Sequence, residues 1–98
     1  IRMILLPVIP NIRAREDEPF AAQVDLFNQL LAKTVADLDE PRSPLLLASP
    51  PDDYAIDTHT YDGTHPNERG EHALAAAFAA TLHQAWGIGG EYAAPRTA

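Results

Sequence analysis

Two short apolar runs, each bounded by prolines, set the first limit on what this chain can fold into. "MILLPVI" at residues 3–9 carries Pro7 inside it and Pro10 just after, and "LLLA" at residues 45–48 lies between Pro44 and Pro50. Neither run alternates apolar with polar positions, and both are rich in branched side chains, the pattern of strands buried on both faces. Proline has no N–H to give to a ladder, so the first strand must stop near Pro7. Burial on both faces belongs to parallel sheets, whose strands are joined by crossover connections, commonly helices.

Between the runs the spacing changes. Phe20, Val24, Phe27, Leu31, Val35 and Leu38 recur every three or four residues, a single apolar stripe along an amphipathic helix. Pro19 suits the first turn of that helix, and Glu16, Asp17 and Glu18 lie where its dipole favours negative charge. "NIRAREDE" before it reads as a polar loop, and "DEPRSP" ends it. After the second run, residues 49–65 form an irregular polar stretch, long for a small domain, and such connections often carry function. A second helix then begins at Asn67 as N-cap, with Pro66 beside it. It runs through Leu74, Phe78, Leu82, Ala85 and Trp86 and stops at Gly87. "GIGGEYAAPRTA", residues 87–98, has no periodicity and reads as a flexible C-terminal tail.

The predicted order is strand, helix, strand, helix: a βαβ unit with one helix added, over residues 1–86. Two strands that are apolar on both faces need further strands at their edges and helices on both sides. The expectation is therefore either association with more sheet or membership of a larger α/β domain, and an opening at Ile1 rather than at a methionine favours the second.

Composition narrows the function classes. The 98 residues are 46% hydrophobic, as in one globular unit. A net charge of -7, with the seven basic residues scattered, argues against a nucleic-acid partner, which needs clustered Lys and Arg. With no cysteine there is neither a disulfide framework nor a thiolate metal site. The longest apolar run is far too short to span a bilayer.

The chemistry concentrates in "YDGTHPNERG", residues 61–70. A histidine is a useful general base because it titrates near neutrality, provided it presents the right tautomer to its target. A carboxylate on the other ring nitrogen fixes that tautomer and stabilises the imidazolium formed on proton transfer. In "DGTH" the spacing through a glycine-containing turn places Asp62 and His65 on one side of the chain, and Gly63 permits backbone angles that a larger residue resists. The turn also follows the second strand, on the side of an open α/β sheet where sites form. Asp-x-x-His alone is a common pattern and is more often turn and cap chemistry than catalysis.

"YDGTHPNERGEHALAAAFAATL" resembles the last conserved block of the SGNH (GDSL-type) hydrolases, in which an Asp-x-x-His-Pro-Asn stretch precedes the final helix. "RMILLPVIP" is similar to that family's strand and proline-rich turn before a long helix, and "VDLFNQLLAKTV" to that helix with its Phe-Asn pair. The resemblance spans roughly residues 2–86, with the specific part at Asp62 to Asn67. It implies a three-layer α/β/α hydrolase of flavodoxin-like topology with a Ser-His-Asp triad acting on an ester substrate, no cofactor, His65 as base and Asp62 as its partner.

The family's Gly-Asp-Ser nucleophile motif, and the glycine and asparagine that complete its oxyanion hole, have no counterpart here. The only serines, Ser43 and Ser49, stand beside prolines at the ends of the second strand and read as loop residues. The expectation is the C-terminal part of such an enzyme, inactive as this chain alone, with the serine on an N-terminal segment or chain. An acyltransferase would use the same triad. One rival is a metal site, since Asp52, Asp53, Asp57, His59, Asp62 and His65 offer six ligand side chains in one loop, although at no regular metal spacing. The other is a non-catalytic α/β partner module whose Asp62 to His65 turn only caps the last helix. Among the other histidines, His59 is expected as a loop residue before the pair, His72 on the solvated side of the last helix, and His83 near that helix's C-terminal dipole.

Overall fold

The two proline-bounded runs form strands β1 (Met3–Leu5) and β2 (Leu45–Leu47), paired in parallel with Met3 opposite Leu45 and Leu5 opposite Leu47. The computed structural model describes residues 1–90 and Tyr92. The pairing is extended at its ends by Met3 N–H donating to the Pro44 carbonyl at 3.1 Å and Ala48 N–H to that of Leu5 at 2.8 Å. Both strands are three residues long, and Pro7 and Pro44, which have no N–H to give, stand close to their ends.

Four helices accompany this sheet: α1 (Ile12–Glu16), α2 (Glu18–Leu38), α3 (Ile56–His59) and α4 (Glu68–Trp86). The architecture is mixed α/β with a two-stranded parallel sheet. The two long helices stand where the apolar spacing puts them. The two short ones correct the sequence reading, which gives "NIRAREDE" as loop and residues 49–65 as wholly irregular. Neither is long enough to show a period, and α1 exists because Asn11 caps it, its side-chain oxygen accepting from Ala14 N–H at 2.9 Å.

Caps fix the long helices. Asp17 caps α2, accepting from Phe20 N–H at 3.1 Å, with Pro19 in the first turn. At its other end Asp39 Oδ1 accepts from Leu45 N–H at 2.8 Å, so the helix exit and the start of β2 are tied by one side chain. Asn67 caps α4, and Gly87 ends it at φ +65°, with Ile88 N–H reaching back to the Leu82 carbonyl at 3.4 Å. Asn28 of α2 holds the strap after β1 by a reciprocal pair of bonds to Val8, whose N–H donates to its oxygen (2.8 Å) and whose carbonyl accepts from its amide (3.2 Å).

The core is thin. Val35, Ala48 and Tyr54 are the buried hydrophobic residues among those described, and none of the large side chains is fully enclosed. Of the α2 stripe, Phe20, Val24, Leu31 and Val35 turn inward, whereas Phe27 is 54% exposed and Leu38 62% exposed, and with Leu26 and Leu30 they leave a second apolar face uncovered. The molecule measures 42 × 41 × 18 Å, with a radius of gyration of 14.9 Å. A compact chain of this length has about 13 Å. Of the expected tail, Gly87 to Gly90 and Tyr92 are described, and the Tyr92 hydroxyl lies 2.7 Å from His72 Nδ1. Residues 91 and 93–98 of that predicted tail lie outside the described residues.

Candidate functional site

The segment leaving β2 is less irregular than its composition suggests. Tyr54 N–H closes a turn onto the Pro51 carbonyl at 3.0 Å, and the Tyr54 side chain is buried. Then comes α3, which ends in a buried histidine. The His59 ring lies 5.0 Å from that of Tyr54, centroid to centroid, and its Nδ1 accepts from Ala55 N–H at 3.1 Å. A backbone N–H can only donate, so Nδ1 carries no proton there, and the Thr58 hydroxyl at 2.8 Å donates to the same atom. His59 therefore secures α3 rather than lining an open loop.

From Thr60 to Pro66 the chain forms a small clasped loop. Thr60 and Pro66 face each other in an antiparallel bridge, and Tyr61 N–H donates to the His65 carbonyl at 2.9 Å. Inside it Gly63 has φ +90°, which suits glycine, and a Cβ there would come within 2.6 Å of the Ile12 side chain. The Thr60 hydroxyl donates to the Ile56 carbonyl (2.7 Å) and accepts from Gly63 N–H (2.8 Å), while Ile12 N–H donates to the Gly63 carbonyl at 2.7 Å. So α1 sits directly on the turn, and the exposed Arg15–Asp57 ion pair at 3.0 Å joins it to α3.

Within this frame Asp62 and His65 meet as the spacing predicts. Asp62 Oδ1 accepts from the N–H groups of His65 (2.8 Å) and Thr64 (2.9 Å), and Oδ2 lies 2.5 Å from His65 Nδ1. These bonds hold the Asp62 carboxyl well below the usual carboxylate range, the His65 N–H first, then its ring, then the Thr64 N–H. An ionised carboxylate can only accept, so Nδ1 is the donor, and in the neutral ring Nε2 carries the free lone pair. The His65 side chain is 75% exposed, so Nε2 is open to an incoming group.

A pH dependence follows. The folded Asp62 titrates below its unfolded value of about 3.9, so the turn's stabilisation is fully present above that value and is lost as pH falls through the lowered folded value. In an NMR titration the side-chain carboxyl ¹³C shift of Asp62 is expected to show no carboxylate transition near about pH 4 and to move through one only at lower pH. A midpoint in the ordinary carboxylate range contradicts the turn.

The remaining candidates do not join this site. Asp57 pairs with Arg15, the His59 Nδ1 is occupied, and among the described residues no three His, Asp or Glu side chains converge as a metal ion requires. Ser43 lies in the turn after α2, its N–H donating to the Glu40 carbonyl at 3.0 Å, and Ser49 is exposed beyond β2. Among the described residues neither serine hydrogen-bonds a histidine. His72 is half-buried rather than solvated, beside Tyr92, and His83 donates from Nδ1 to the Gly89 carbonyl at 3.0 Å just past the end of α4. A cavity of ≈ 440 Å³ lined by Ala76, Ala80, His83, Gln84, Gly90 and Tyr92 includes neither Asp62 nor His65. No helix among the described residues is long and apolar enough to cross a membrane.

Comparison of the chain with protein-family models, with curated proteins and with solved structures gives no match.

Proposed function

We propose that this chain is the C-terminal part of a serine ester hydrolase of SGNH (GDSL) type, completed into a three-layer α/β/α sandwich by further parallel strands and helices on an N-terminal segment or chain. The observation that carries the reading is the Asp62–His65 pair: a carboxylate fixed by two backbone N–H groups, bonded to Nδ1, with Nε2 open to solvent. The uncovered edges of the two-stranded sheet and the bare Leu26, Phe27 and Leu30 face of α2 are the surfaces such a segment would cover.

In this mechanism the N-terminal segment supplies the nucleophilic serine and the oxyanion-hole donors. His65 Nε2 takes the serine hydroxyl proton as the oxygen attacks the ester carbonyl, and Asp62 stabilises the imidazolium that results. The same nitrogen returns the proton to the leaving alcohol. It then takes one from water as the water oxygen attacks the acyl-serine carbonyl, and passes it to the serine oxygen as the acid leaves. An alcohol in place of that water makes the reaction an acyl transfer.

The test is the intact mass of everything that purifies with this chain, followed by a fluorophosphonate label for an activated serine. The expected result is a labelled polypeptide that contains or accompanies the chain. A longer or companion polypeptide that is present but stays unlabelled removes the hydrolase and leaves a module that docks on another sheet, whereas the chain purified alone and unlabelled is the inactive fragment expected above.

A further inference from the structure

The clasped loop is closed at its base by one side chain. Asn67 Oδ1 accepts from Gly70 N–H at 2.9 Å, which is the capping bond of α4. The Nδ2 of the same amide, which capping does not need, donates to the Thr58 carbonyl at 3.0 Å and leans on that of Thr60 at 3.4 Å. Its backbone N–H donates to the His59 carbonyl at 2.9 Å, and its carbonyl accepts from Glu71 N–H at 2.8 Å. The residue thus joins the end of α3, the entry to the loop and the start of α4, with the Asp62–His65 turn strung between Thr60 and Pro66.

Capping alone explains an Asn, Asp, Ser or Thr at this position equally well. The two carbonyls on the other side of the side chain require a donor, and of those four only asparagine presents both an acceptor and an NH2 group. We propose that Asn67 is a positioning residue for His65, holding the two ends of the loop together so that the imidazole stays on Asp62 with Nε2 outward. The proposal rests on the reading of His65 as a base, and it concerns the support of that base rather than the reaction.

Asn67→Asp separates the two roles. It is close to isosteric, keeps the capping oxygen and adds negative charge at a helix N-terminus, where charge is favourable. It also replaces the NH2 group by an oxygen facing the Thr58 and Thr60 carbonyls, which repels where the amide bonded.

In the ¹⁵N-labelled full chain, Asn67→Asp is expected to keep the helical circular dichroism and the protection of the Gly70 amide. The Tyr61 amide, which closes the loop onto His65, is expected to exchange at least tenfold faster, and the His65 ring ¹⁵N shifts should move from a single tautomer toward a mixture. Unchanged Tyr61 exchange together with unchanged ring shifts overturns the proposal. Should the aspartate variant lose its helical signal, Asn67→Ser is read in the same way, since it keeps a capping oxygen, loses the NH2 group that reaches the Thr58 and Thr60 carbonyls and adds no charge. Neither readout involves turnover, so a protein that proves not to be an esterase leaves this result standing, and an Asn67 with no effect leaves the hydrolase reading standing.

Discussion

Gly70→Ala is expected to lower the unfolding free energy by about 2 kcal/mol or more, although it replaces glycine by the best helix former inside a helix. On propensity alone the change stabilises by up to about 1 kcal/mol. The packing forbids it. Gly70 is buried in the first turn of α4, and a Cβ there would lie 2.1 Å from the His59 carbonyl oxygen and 3.1 Å from Pro66 Cβ. The oxygen is backbone and already accepts from Asn67 N–H, so it cannot step aside without opening the junction between α3 and α4. Urea unfolding checks the expectation, with Gly90→Ala as control because nothing lies within 4 Å of a Cβ at that position. A Gly70→Ala midpoint equal to or above that of the parent contradicts the close approach. The predicted loss is a large part of the roughly 5–15 kcal/mol typical of natural domains, and the thin core places this chain toward the low end.

The second large effect is on turnover. In the complete hydrolase proposed here, His65→Ala is expected to reduce ester turnover by about 10³-fold or more, since it removes the group that moves the proton in both half-reactions. Folding should be nearly unaffected, within about 0.5 kcal/mol by urea unfolding, because the side chain is mostly exposed. Asp62→Asn is expected to cost about 10²–10⁴-fold, for a different reason. The new amide still offers an oxygen to the Thr64 and His65 N–H groups, but its NH2 faces Nδ1, which must then accept. That forces the proton onto Nε2, and the ring then presents a donor where the serine needs an acceptor. Ester turnover in the His65→Ala enzyme at the parental rate ends the assignment.

Much of this was legible in residues whose role is local. Pro7, Pro44 and Pro50 bound the strands, Asn67 and Gly87 mark the ends of α4, and the Asp62 to His65 spacing encodes a contact made across a single turn. What escaped depends on partners distant in sequence or on elements too short to have a period. Five residues of α1 and four of α3 fall below any helical signature, and Asn11 is the one local mark of the first. That Gly70 abuts His59, or that Ile12 sits on Gly63, is set by tertiary approach. The α2 stripe shows the converse error. Periodicity finds an apolar face but does not say what covers it, and Phe27 and Leu38 belong to a face that this chain leaves bare.

The shortness of the Asp62–His65 connection has a consequence for the order of folding. Closing a loop costs entropy that grows with the logarithm of its length, and loops of about ten residues close in roughly 10–100 ns. The sheet waits on a far longer closure, since Met3 must find Leu45 across the whole of α2. The turn is therefore sampled many times before the strands pair. In the hydrolase proposed here, a segment that docks against the sheet after the turn has closed meets a base that already has its carboxylate, so assembly has one separation left to set, between His65 Nε2 and the nucleophile.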